Sequence, residues 1–594
     1  MSLTAAPHLQ QTAEEYDRIV RADIELFRKQ AEDYMAGRLT DDEFRAFRLR
    51  RGIYGQRQPG VHMVRTKVPG GILTARQLEQ LGLISDSFGF GRGHVTTRQN
   101  MQFHFVPLPQ VPDLLHLLAD VRLTTREACY NTVRNVTACP TAGLKRDEVF
   151  NVNPYAQRIA YAFLHKSLTD AMPRKFKIAL CGCAEDCMLG SIHDVGLRAV
   201  VRTENGIQKR GFRMVIAGGL GPLPTEAGLL DEFVPEDRIV NKIEAVLRVF
   251  NNYGNRKNKN KARLKFVMRE RTLEWLKDEI EKEYQDVLTN GGIPAPSEVP
   301  EGFAGFESNP QPVGSGALLP IVDGSLRNNP QYNRWLETNV AEQRQPGYAI
   351  VTVRVISGNL VGDQMRGLAR IAREAGDGKI RFAVTQNVLL GFIPVANLPR
   401  VYAALKELDL AGDAANQIDD ITTCPGAWTC NLGITKSMTL GAALQETVSN
   451  YSEPFVRSLN IKISGCPNAC GQHWIGDIGF YGNARKMNGK EVPYYQLLLG
   501  GGQDAQGIMR FGLAVNSIPA RLAPVAVQRV LDHYIANRNE GESFREYVLR
   551  NKVELFKSMT SDLTKPAELF PDLYKDWGDE DAYSLQLGRG ECAS

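Results

Sequence analysis

Gln56-Arg57-Gln58-Pro59-Gly60 recurs as Gln343-Arg344-Gln345-Pro346-Gly347, 287 residues later in a chain of 594. The repeat continues as a collinear series of shorter matches. The matched segments are Gln99-Asn100 with Gln386-Asn387, Thr137-Ala138-Cys139-Pro140 with Thr422-Thr423-Cys424-Pro425, Gly182-Cys183 with Gly465-Cys466, Cys187 with Cys470, and Asp194 with Asp477. The offset drifts only from 287 to 283, an order that chance does not produce. We therefore interpret the chain as a tandem duplication of two large halves, since solenoid repeats have periods of about 20–50 residues.

Each half carries the pattern of a mixed α and β unit. In the first half, β-branched residues predict strands at 61–68 and within 93–106, and apolar periodicity predicts helices at 74–83 and 111–118. The second half repeats this order with strands at 348–356 and within 380–394, and helices at 361–372 and 398–408. The order β-α-β followed by α, with room for a further strand, predicts a ferredoxin-like α+β unit in each half.

The composition excludes several classes of protein. Hydrophobic residues make up 43% and charged residues 23%, which is ordinary for a soluble globular protein. The 71 Lys and Arg against 67 Asp and Glu give a net charge of +4, too balanced to indicate a nucleic-acid binder. No apolar run reaches the roughly 18 residues of a membrane span, and no secretory signal is visible. We expect a cytoplasmic protein without nucleic-acid or membrane partners.

Disulfides are rare in a reducing cytoplasm, and nine of the ten cysteines fall in two groups, five in the first third and four in the last third of the chain, which suggests metal chemistry. The strongest pattern is Cys424-x5-Cys430 followed by Cys466-x3-Cys470, two short pairs whose soft thiolates suit an iron–sulfur or zinc site. Zinc pairs usually lie about two to four residues apart, so the spacing favours iron–sulfur. A zinc site and unliganded core cysteines remain open alternatives.

A resemblance narrows these alternatives. Ser464-Gly465-Cys466-Pro467-Asn468-Ala469-Cys470, followed by Asp477-Ile478-Gly479-Phe480, resembles the signature of the sirohaem-dependent nitrite and sulfite reductases. The likeness extends over nearly the whole chain, including the duplication. It implies a [4Fe–4S] cluster held by Cys424, Cys430, Cys466 and Cys470, with the Cys470 thiolate also ligating the sirohaem iron.

The first half cannot repeat this cysteine pattern. Cys139 lacks a partner six residues later, where Lys145 stands. The resemblance therefore implies that only the second half binds a cluster. Cys181, Cys183 and Cys187 are interpreted mainly as buried small residues or free thiols, with a metal site as the minor alternative.

Four basic residues match the family's anion-binding set: Arg98, Arg134, Lys175 and Lys177. A small oxyanion needs a few fixed cationic donors above the iron, whereas each residue taken singly also suits a solvated surface. Lys175 and Lys177 flank Phe176, so on a strand both would face one side. The resemblance also implies that three amide side chains lie near the sirohaem or the cluster: Gln99, Asn135 and Asn468.

Tyr54 and Cys129 bear on the choice of substrate. Their positions match a Tyr–Cys covalent pair found beside the sirohaem in some sulfite-reducing relatives; the alternative is a core tyrosine and an ordinary buried cysteine. The pair favours sulfite, as does, more weakly, the Gly-Glu-Cys-Ala ending at 590–593.

The sequence thus predicts an assimilatory sulfite reductase that takes sulfite to sulfide with six electrons. The alternative on the same scaffold is a ferredoxin-type nitrite reductase forming ammonia, and a zinc- or cluster-stabilised binding protein is the non-catalytic alternative. No Walker motif or convincing dinucleotide fingerprint is present, so a partner protein must deliver electrons, and the resemblance implies a ferredoxin. The basic run 256–263 suits docking of an acidic partner, or is a solvated or sirohaem-facing stretch.

The predicted fold class is α+β, internally duplicated, with two ferredoxin-like half-domains and two sirohaem/[4Fe–4S]-type α/β domains related by a pseudo-two-fold axis. The Gly-, Pro- and Ser-rich stretch 291–320 indicates a linker between the halves. The predicted division is an N-terminal helical arm at 1–50, the first half-domain at 51–125, a first catalytic domain without a cluster at 126–285, a linker at 286–335, the second half-domain at 336–412, the cluster- and sirohaem-binding domain at 413–560 and a C-terminal tail at 561–594.

Overall fold

A computed structural model describes residues 13–293, 311–322, 324–504, 507–566, 570–588 and 590–591 of the chain. Two helices open it, α1 (Ala13–Met35) and α2 (Asp41–Arg50). Thr40 begins α2 with a capping box, in which its side chain accepts a hydrogen bond from the Glu43 N–H and the Glu43 carboxylate accepts one from the Thr40 N–H. Phe27 and Phe44 bury the inner faces of the two helices against the first half-domain.

The first half continues with a ferredoxin-like unit and then a cysteine-bearing domain. The ferredoxin-like unit contains β1 (Ile53–Gly55), β2 (Val61–Arg65), β3 (Ile72–Thr74), α3 (Ala75–Ser87), β4 (Arg92–Val95), β5 (Met101–Pro107) and α4 (Val111–Ala119). The cysteine-bearing domain contains β6 (Thr137–Ala138), α5 (Asn153–Ala162), α6 (Ser167–Asp170), β7 (Ile178–Cys181), β8 (Val195–Glu204), β9 (Ile207–Ile216), β10 (Gly228–Pro235), α7 (Ile239–Tyr253), α8 (Leu264–Arg271) and α9 (Leu273–Asn290).

The second half repeats this plan. Its ferredoxin-like unit contains α10 (Pro330–Asn339), β11 (Val340–Glu342), β12 (Tyr348–Val353), β13 (Asn359–Val361), α11 (Gly362–Ala375), β14 (Lys379–Phe382), β15 (Val388–Pro394) and α12 (Leu398–Glu407). Its cysteine-bearing domain contains β16 (Thr422–Thr423), α13 (Ser437–Val448), α14 (Pro454–Arg457), β17 (Ile461–Ser464), β18 (Ile478–Met487), β19 (Lys490–Leu499), β20 (Gly502–Gln503), β21 (Met509–Arg510), β22 (Leu513–Pro519), α15 (Ala523–Asn537), α16 (Phe544–Met559) and α17 (Ser561–Thr564).

The two ferredoxin-like units exchange a strand. One sheet has the order β1-β2-β5-β4-β13 and the other β11-β12-β15-β14-β3, so each sheet is completed by a strand of the other half. Leu360 of β13 lies opposite Gly93, and Leu73 of β3 lies opposite Ile380. Helices α3 and α11 pack together across this junction, and residues of both halves share one core. The halves are therefore built as one unit.

The two cysteine-bearing domains have matching sheets, each with its own core. Their orders are β10-β9-β8-β7-β6 and β16-β17-β18-β19-β22. In the first sheet β6, β7 and β8 run parallel, and in the second β16, β17 and β18 run parallel; the following pairs, β8 with β9 and β18 with β19, are antiparallel. Because parallel strands end at the same sheet edge, cysteines after β6 and β7 must meet, as must those after β16 and β17.

The repeated pentapeptide has a structural reason. Strands β5 and β15 each contain a register shift opposite β2 and β12, with a left-handed residue at Phe105 (φ 60°) and Phe392 (φ 56°). A bulge of this kind leaves a backbone N–H outside the ladder. The Gln56 Oε1 accepts the Phe105 N–H at 2.7 Å, and the Gln343 Oε1 accepts the Phe392 N–H at the same distance. The repeat therefore preserves a side-chain bond that fixes the bulge.

The duplicated α+β fold is confirmed, and each helix and strand predicted above is present, with ends shifted by at most four residues. The predicted linker 286–335 is described only in part, since residues 294–310 and 323 lie outside the described residues, as do Cys592 and Ala593 of the C-terminal motif. None of the helices in the described ranges combines the length and apolarity needed to cross a membrane.

Candidate active site

Four cysteines of the second half meet at one sheet edge. Cys424 follows β16 and Cys466 follows β17, while Cys430 and Cys470 lie in the loops that leave those strands. The Gly465 N–H donates to the Cys424 Sγ at 3.3 Å. Desolvation of its sulfur, and then the nearby Cys470 and Cys424 thiolates, raise the pKa of the Cys430 thiol to about 12. A group that neutralises several thiolates would relieve this repulsion.

The loop that carries Cys424 and Cys430 is held from both sides. Gly426 has a left-handed backbone (φ 55°), and a Cβ there would stand 2.4 Å from the Thr435 carbonyl oxygen. The first half contributes the Arg57 N–H, which donates to the Thr429 carbonyl at 3.0 Å. The C-terminal tail contributes the Gly588 N–H, which donates to the Asn431 carbonyl at 3.0 Å. The loop is therefore fixed before any cofactor binds.

Arg98 approaches the second-half cysteines from the turn between β4 and β5. Its neighbour Thr97 donates from Oγ1 to the Cys470 carbonyl at 2.9 Å. One Arg98 nitrogen donates to the Ile178 carbonyl at 3.3 Å, but the buried Nε and Nη1 have no hydrogen-bond partner among the described residues. Burial, with the charge of Arg134, lowers the pKa of Arg98 to about 9. Two unpartnered nitrogens of one buried guanidinium favour an anionic ligand here.

Arg134, Lys175 and Lys177 lie on two segments that pair with each other. The Arg134 N–H donates to the Phe176 carbonyl at 2.9 Å, and the Phe176 N–H donates to the Thr132 carbonyl at 3.0 Å. Phe176 is fully buried, while the flanking lysines are half-buried. Burial holds the pKa of Lys177 well below its usual range, reinforced by Arg98, Arg263 and Lys175 and opposed by the Cys470 thiolate. The cations and the Cys470 thiolate therefore share one space.

Sequence reasoning missed one ion pair in this group. Arg263 binds Asp194 through two bonds, Nε to Oδ1 at 3.1 Å and Nη2 to Oδ2 at 2.7 Å, and both residues are buried. The Asp194 Oδ2 also accepts the Lys177 N–H at 2.8 Å. The sequence contained a signal, because Asp194 repeats as Asp477, but Arg263 stood only at the end of a basic run. The pair orients the backbone that carries Lys177.

The predicted amide Gln99 binds backbone groups. Its Nε2 donates to the Ala138 and Phe382 carbonyls, both at 2.8 Å, and its Oε1 accepts the Ala138 N–H at 2.9 Å. It therefore connects the Arg98 turn with the end of β6. A direct contact between Gln99 and a cofactor stays a prediction.

Asn135 and Asn468 differ in their surroundings. Asn135 is buried, accepts the Val68 N–H at 2.9 Å and donates to the Arg98 carbonyl at 2.8 Å. Asn468 is exposed, and its backbone lies at the Cys466 thiol. Asn135 thus holds Arg98 in place, while Asn468 lies at the rim of the cysteine group.

Tyr54 and Cys129 pack in one small buried cluster with Leu49 and Met63. The Arg134 Nη2 donates to the Tyr54 hydroxyl oxygen at 3.3 Å. The predicted pair therefore lies together, directly beside one of the predicted anion-binding cations.

The second-half residues fit an iron–sulfur cluster. Among the described residues, the only group of three or more His, Cys, Asp or Glu with all ligand atoms within 4.8 Å of one another is Cys139, Cys183 and Cys187. The thiols of Cys424, Cys430, Cys466 and Cys470 share one electrostatic environment but are more widely spaced. A cuboidal cluster interposes iron and sulfide between its thiolates and requires such spacing.

Comparisons with known proteins agree with this arrangement. The family model for the nitrite and sulphite reductase 4Fe-4S domain matches residues 129–288 and 414–567. The model for the nitrite/sulfite reductase ferredoxin-like half domain matches residues 54–126 and 341–408. Both models match twice, once in each half, so they follow the duplication.

Relatives cover most of the chain. An assimilatory ferredoxin-dependent nitrite reductase of Haloferax mediterranei is 28% identical over 90% of this chain and 89% of its own. A ferredoxin sulfite reductase of Mycobacterium tuberculosis is 28% identical over 82% of both chains. The solved structure of the Mycobacterium tuberculosis NirA protein superposes with a TM-score of 0.73 at 26% identity, covering 87% of this chain and 91% of that one. The chain therefore belongs to the nitrite and sulphite reductase family, oxidoreductases that carry sirohaem and a [4Fe–4S] cluster.

Proposed function

We propose that this protein is an assimilatory, ferredoxin-dependent sulfite reductase that converts sulfite to sulfide with six electrons. The observation that carries the choice of sulfite is the packing of Tyr54 and Cys129 beside Arg134, since this pair resembles one found in sulfite-reducing relatives. When bound, sirohaem and the cluster supply the redox chemistry. The polypeptide supplies ligands, anion binding and protons.

We assign the cluster to Cys424, Cys430, Cys466 and Cys470, with Cys470 nearest the sirohaem. Support comes from the meeting of these thiols at one sheet edge and from the Thr97 bond to the Cys470 carbonyl, 2.9 Å long. Cys430 and Cys470 are exposed. Their exposure leaves one side of the group open for a second, larger cofactor.

We assign the oxyanion to Arg98, Arg134, Lys175 and Lys177. The unpartnered Arg98 nitrogens suit an anionic oxygen, and the Asp194 bond fixes the Lys177 backbone at 2.8 Å. Lowering of the Lys177 pKa by burial and by the neighbouring cations eases release of a proton from Nζ. Lys177 can therefore donate protons to the oxygens of the anion as they leave.

The electron donor is proposed to be a ferredoxin, as the names of the relatives above indicate for those proteins. The basic run supports docking of an acidic partner, because Lys257 and Lys261 are exposed while Arg263, at its end, is buried beside Lys177. A reducing compartment such as the cytoplasm suits the nine described cysteines, which form no disulfide with one another.

Nitrite is the second candidate substrate. The Haloferax mediterranei relative, named as a nitrite reductase, aligns over 90% of this chain, more than the 82% of the sulfite-reducing relative above. Both substrates are small oxyanions that take six electrons, so the cationic group serves either.

Anaerobic steady-state reduction with methyl viologen as one-electron donor decides between them. We expect kcat/KM for sulfite to exceed that for nitrite, with sulfide as the product. A strong preference for nitrite would contradict the assignment while leaving the cofactor ligands untouched. A cross-linked Tyr54–Cys129 peptide two hydrogens lighter than its parts, measured by mass, would verify the predicted covalent pair.

A further inference from the structure

A second group of sulfur atoms converges in the first half, away from the four cysteines assigned above. We call Cys139, Cys181, Cys183 and Cys187 the first-half thiol cluster. The Cys187 Sγ lies 3.3 Å from the Cys139 Sγ, 3.4 Å from the Cys181 Sγ and 3.8 Å from the Cys183 Sγ. The Cys139 and Cys183 Sγ atoms are 3.5 Å apart.

The topology of the sheet brings these sulfurs together. Cys139 follows β6 and Cys181 ends β7, and these strands are parallel neighbours. Cys183 and Cys187 lie in the loop that leaves β7. Cys139, Cys181 and Cys183 are buried and Cys187 is exposed. The group is therefore largely shielded and retains one side through which an ion can enter.

The distances favour a single metal ion over an iron–sulfur cluster. In a tetrahedral zinc site with Zn–S bonds of 2.3 Å, neighbouring sulfurs are about 3.8 Å apart. The three separations among Cys139, Cys183 and Cys187, from 3.3 to 3.8 Å, are at or slightly below this value. Cys181 lies 3.4 Å from Cys187 but outside the group whose ligand atoms are all within 4.8 Å of one another. An iron–sulfur cluster holds its thiolates farther apart, as in the second half, where no three described cysteines approach within 4.8 Å of one another.

We propose that the first-half thiol cluster binds a single zinc ion, with Cys139, Cys183 and Cys187, whose Sγ atoms lie within 4.8 Å of one another, as three ligands. Cys181, whose Sγ lies 3.4 Å from that of Cys187 but outside this compact group of three, is the thiol proposed for the fourth position. The Thr141 hydroxyl, 3.1 Å from the Cys139 Sγ, provides a hydrogen bond to one ligand, as is usual around metal sites. The ion joins the ends of β6 and β7 to the loop that leads to Asp194. The site is independent of which oxyanion the enzyme reduces.

Metal analysis of the purified holoenzyme tests the proposal. We expect about one zinc per chain, and a zinc K-edge absorption spectrum with about four sulfur neighbours at 2.3 Å. This measurement is specific to zinc and is made on the unaltered protein. Absence of zinc, zinc with nitrogen or oxygen neighbours, disulfides among these cysteines, or an iron ion held by them would each overturn the proposal.

A double variant locates the ion. Cys183→Ser/Cys187→Ser should reduce bound zinc at least about tenfold, because hydroxyls replace two thiolate ligands. Met188→Leu is the matched control, since Met188 is a buried sulfur-containing residue of the same loop; it should keep its zinc. Full zinc in the double variant would overturn the assignment of these ligands, and so would an equal loss in the control.

Discussion

The two halves share a backbone plan but contribute opposite charges to the candidate active site. The first half supplies the cations Arg98, Arg134, Lys175 and Lys177, and the residues at the matching positions of the second half are Thr385, Asp419, Ser458 and Asn460. The second half supplies the Cys470 thiol, whose charge acts on Lys177. Duplication thus provided two copies of one scaffold, and the proposed sites assign binding of the anion to the first copy and binding of the cluster to the second.

The positions of the cysteines also differ between the two halves. Lys145 stands at the first-half position that matches Cys430, and Cys181 stands at the position that matches Ser464. The Ser464 Oγ accepts the Gly471 N–H at 3.0 Å, a structural bond, whereas the Cys181 Sγ lies 3.4 Å from that of Cys187. The second half has four widely spaced thiols, whereas the first half has a compact group of three with Cys181 beside Cys187.

Replacement of a second-half cysteine should have the largest effect. Cys430→Ser removes a proposed cluster ligand, so we expect bound iron to fall from about five atoms per chain toward one or none and reduction to fall at least about a hundredfold. Iron analysis and viologen-linked kinetics measure both.

Cys181→Ser is the control from the other half, because it installs the residue of the matching second-half position. It should leave the iron content unchanged while weakening zinc binding. Equal loss of iron in the two variants would mean that the halves do not carry separate metal centres.

Exchange of a cation for its second-half counterpart should have the next effect. Lys177→Asn installs the residue found at Asn460, whose N–H donates to Asp477 at 2.9 Å, just as the Lys177 N–H donates to Asp194 at 2.8 Å. The backbone bond is thus preserved and the charge is lost. We expect kcat/KM to fall about 10²–10³-fold, as for removal of a preorganised electrostatic donor, with sirohaem and iron still bound.

Lys177→Arg keeps the charge and should recover part of the activity. The variants are compared at equal cofactor content, so that a folding defect is separated from a catalytic one. An unchanged kcat/KM in Lys177→Asn would remove Lys177 from the anion site.

Much of this comparison was present in the sequence. The repeated pentapeptide revealed the duplication because the glutamines Gln56 and Gln343 each serve one bulge. The strand exchange was not predicted, because β3 and β13 have only three residues each and carry no readable periodicity.

Long-range partners were equally invisible in the sequence. The Arg263–Asp194 pair joins residues 69 positions apart, and neither residue type indicates its partner. The compactness of the first-half thiol cluster depends on Cys139, which precedes Cys183 by 44 residues. Only the parallel pairing of β6 with β7 brings these sulfurs together.

The smallest expected effect concerns the repeated glutamines Gln99 and Gln386. The Gln99 Oε1 accepts the Ala138 N–H and the Gln386 Oε1 accepts the Thr423 N–H, both at 2.9 Å, and each Nε2 donates to a carbonyl of the opposite half. Both side chains are buried, so truncation leaves backbone groups without partners. We expect Gln99→Ala and Gln386→Ala each to lower the free energy of unfolding by about 1–3 kcal/mol. Chemical denaturation of the two variants side by side measures this loss of unfolding free energy.

Similar losses in the two variants would mean that the glutamines perform the same structural task in both halves. Loss of sirohaem from Gln99→Ala alone, at matched stability, would instead demonstrate the cofactor contact predicted for Gln99 and would limit the equivalence of the halves to their backbones.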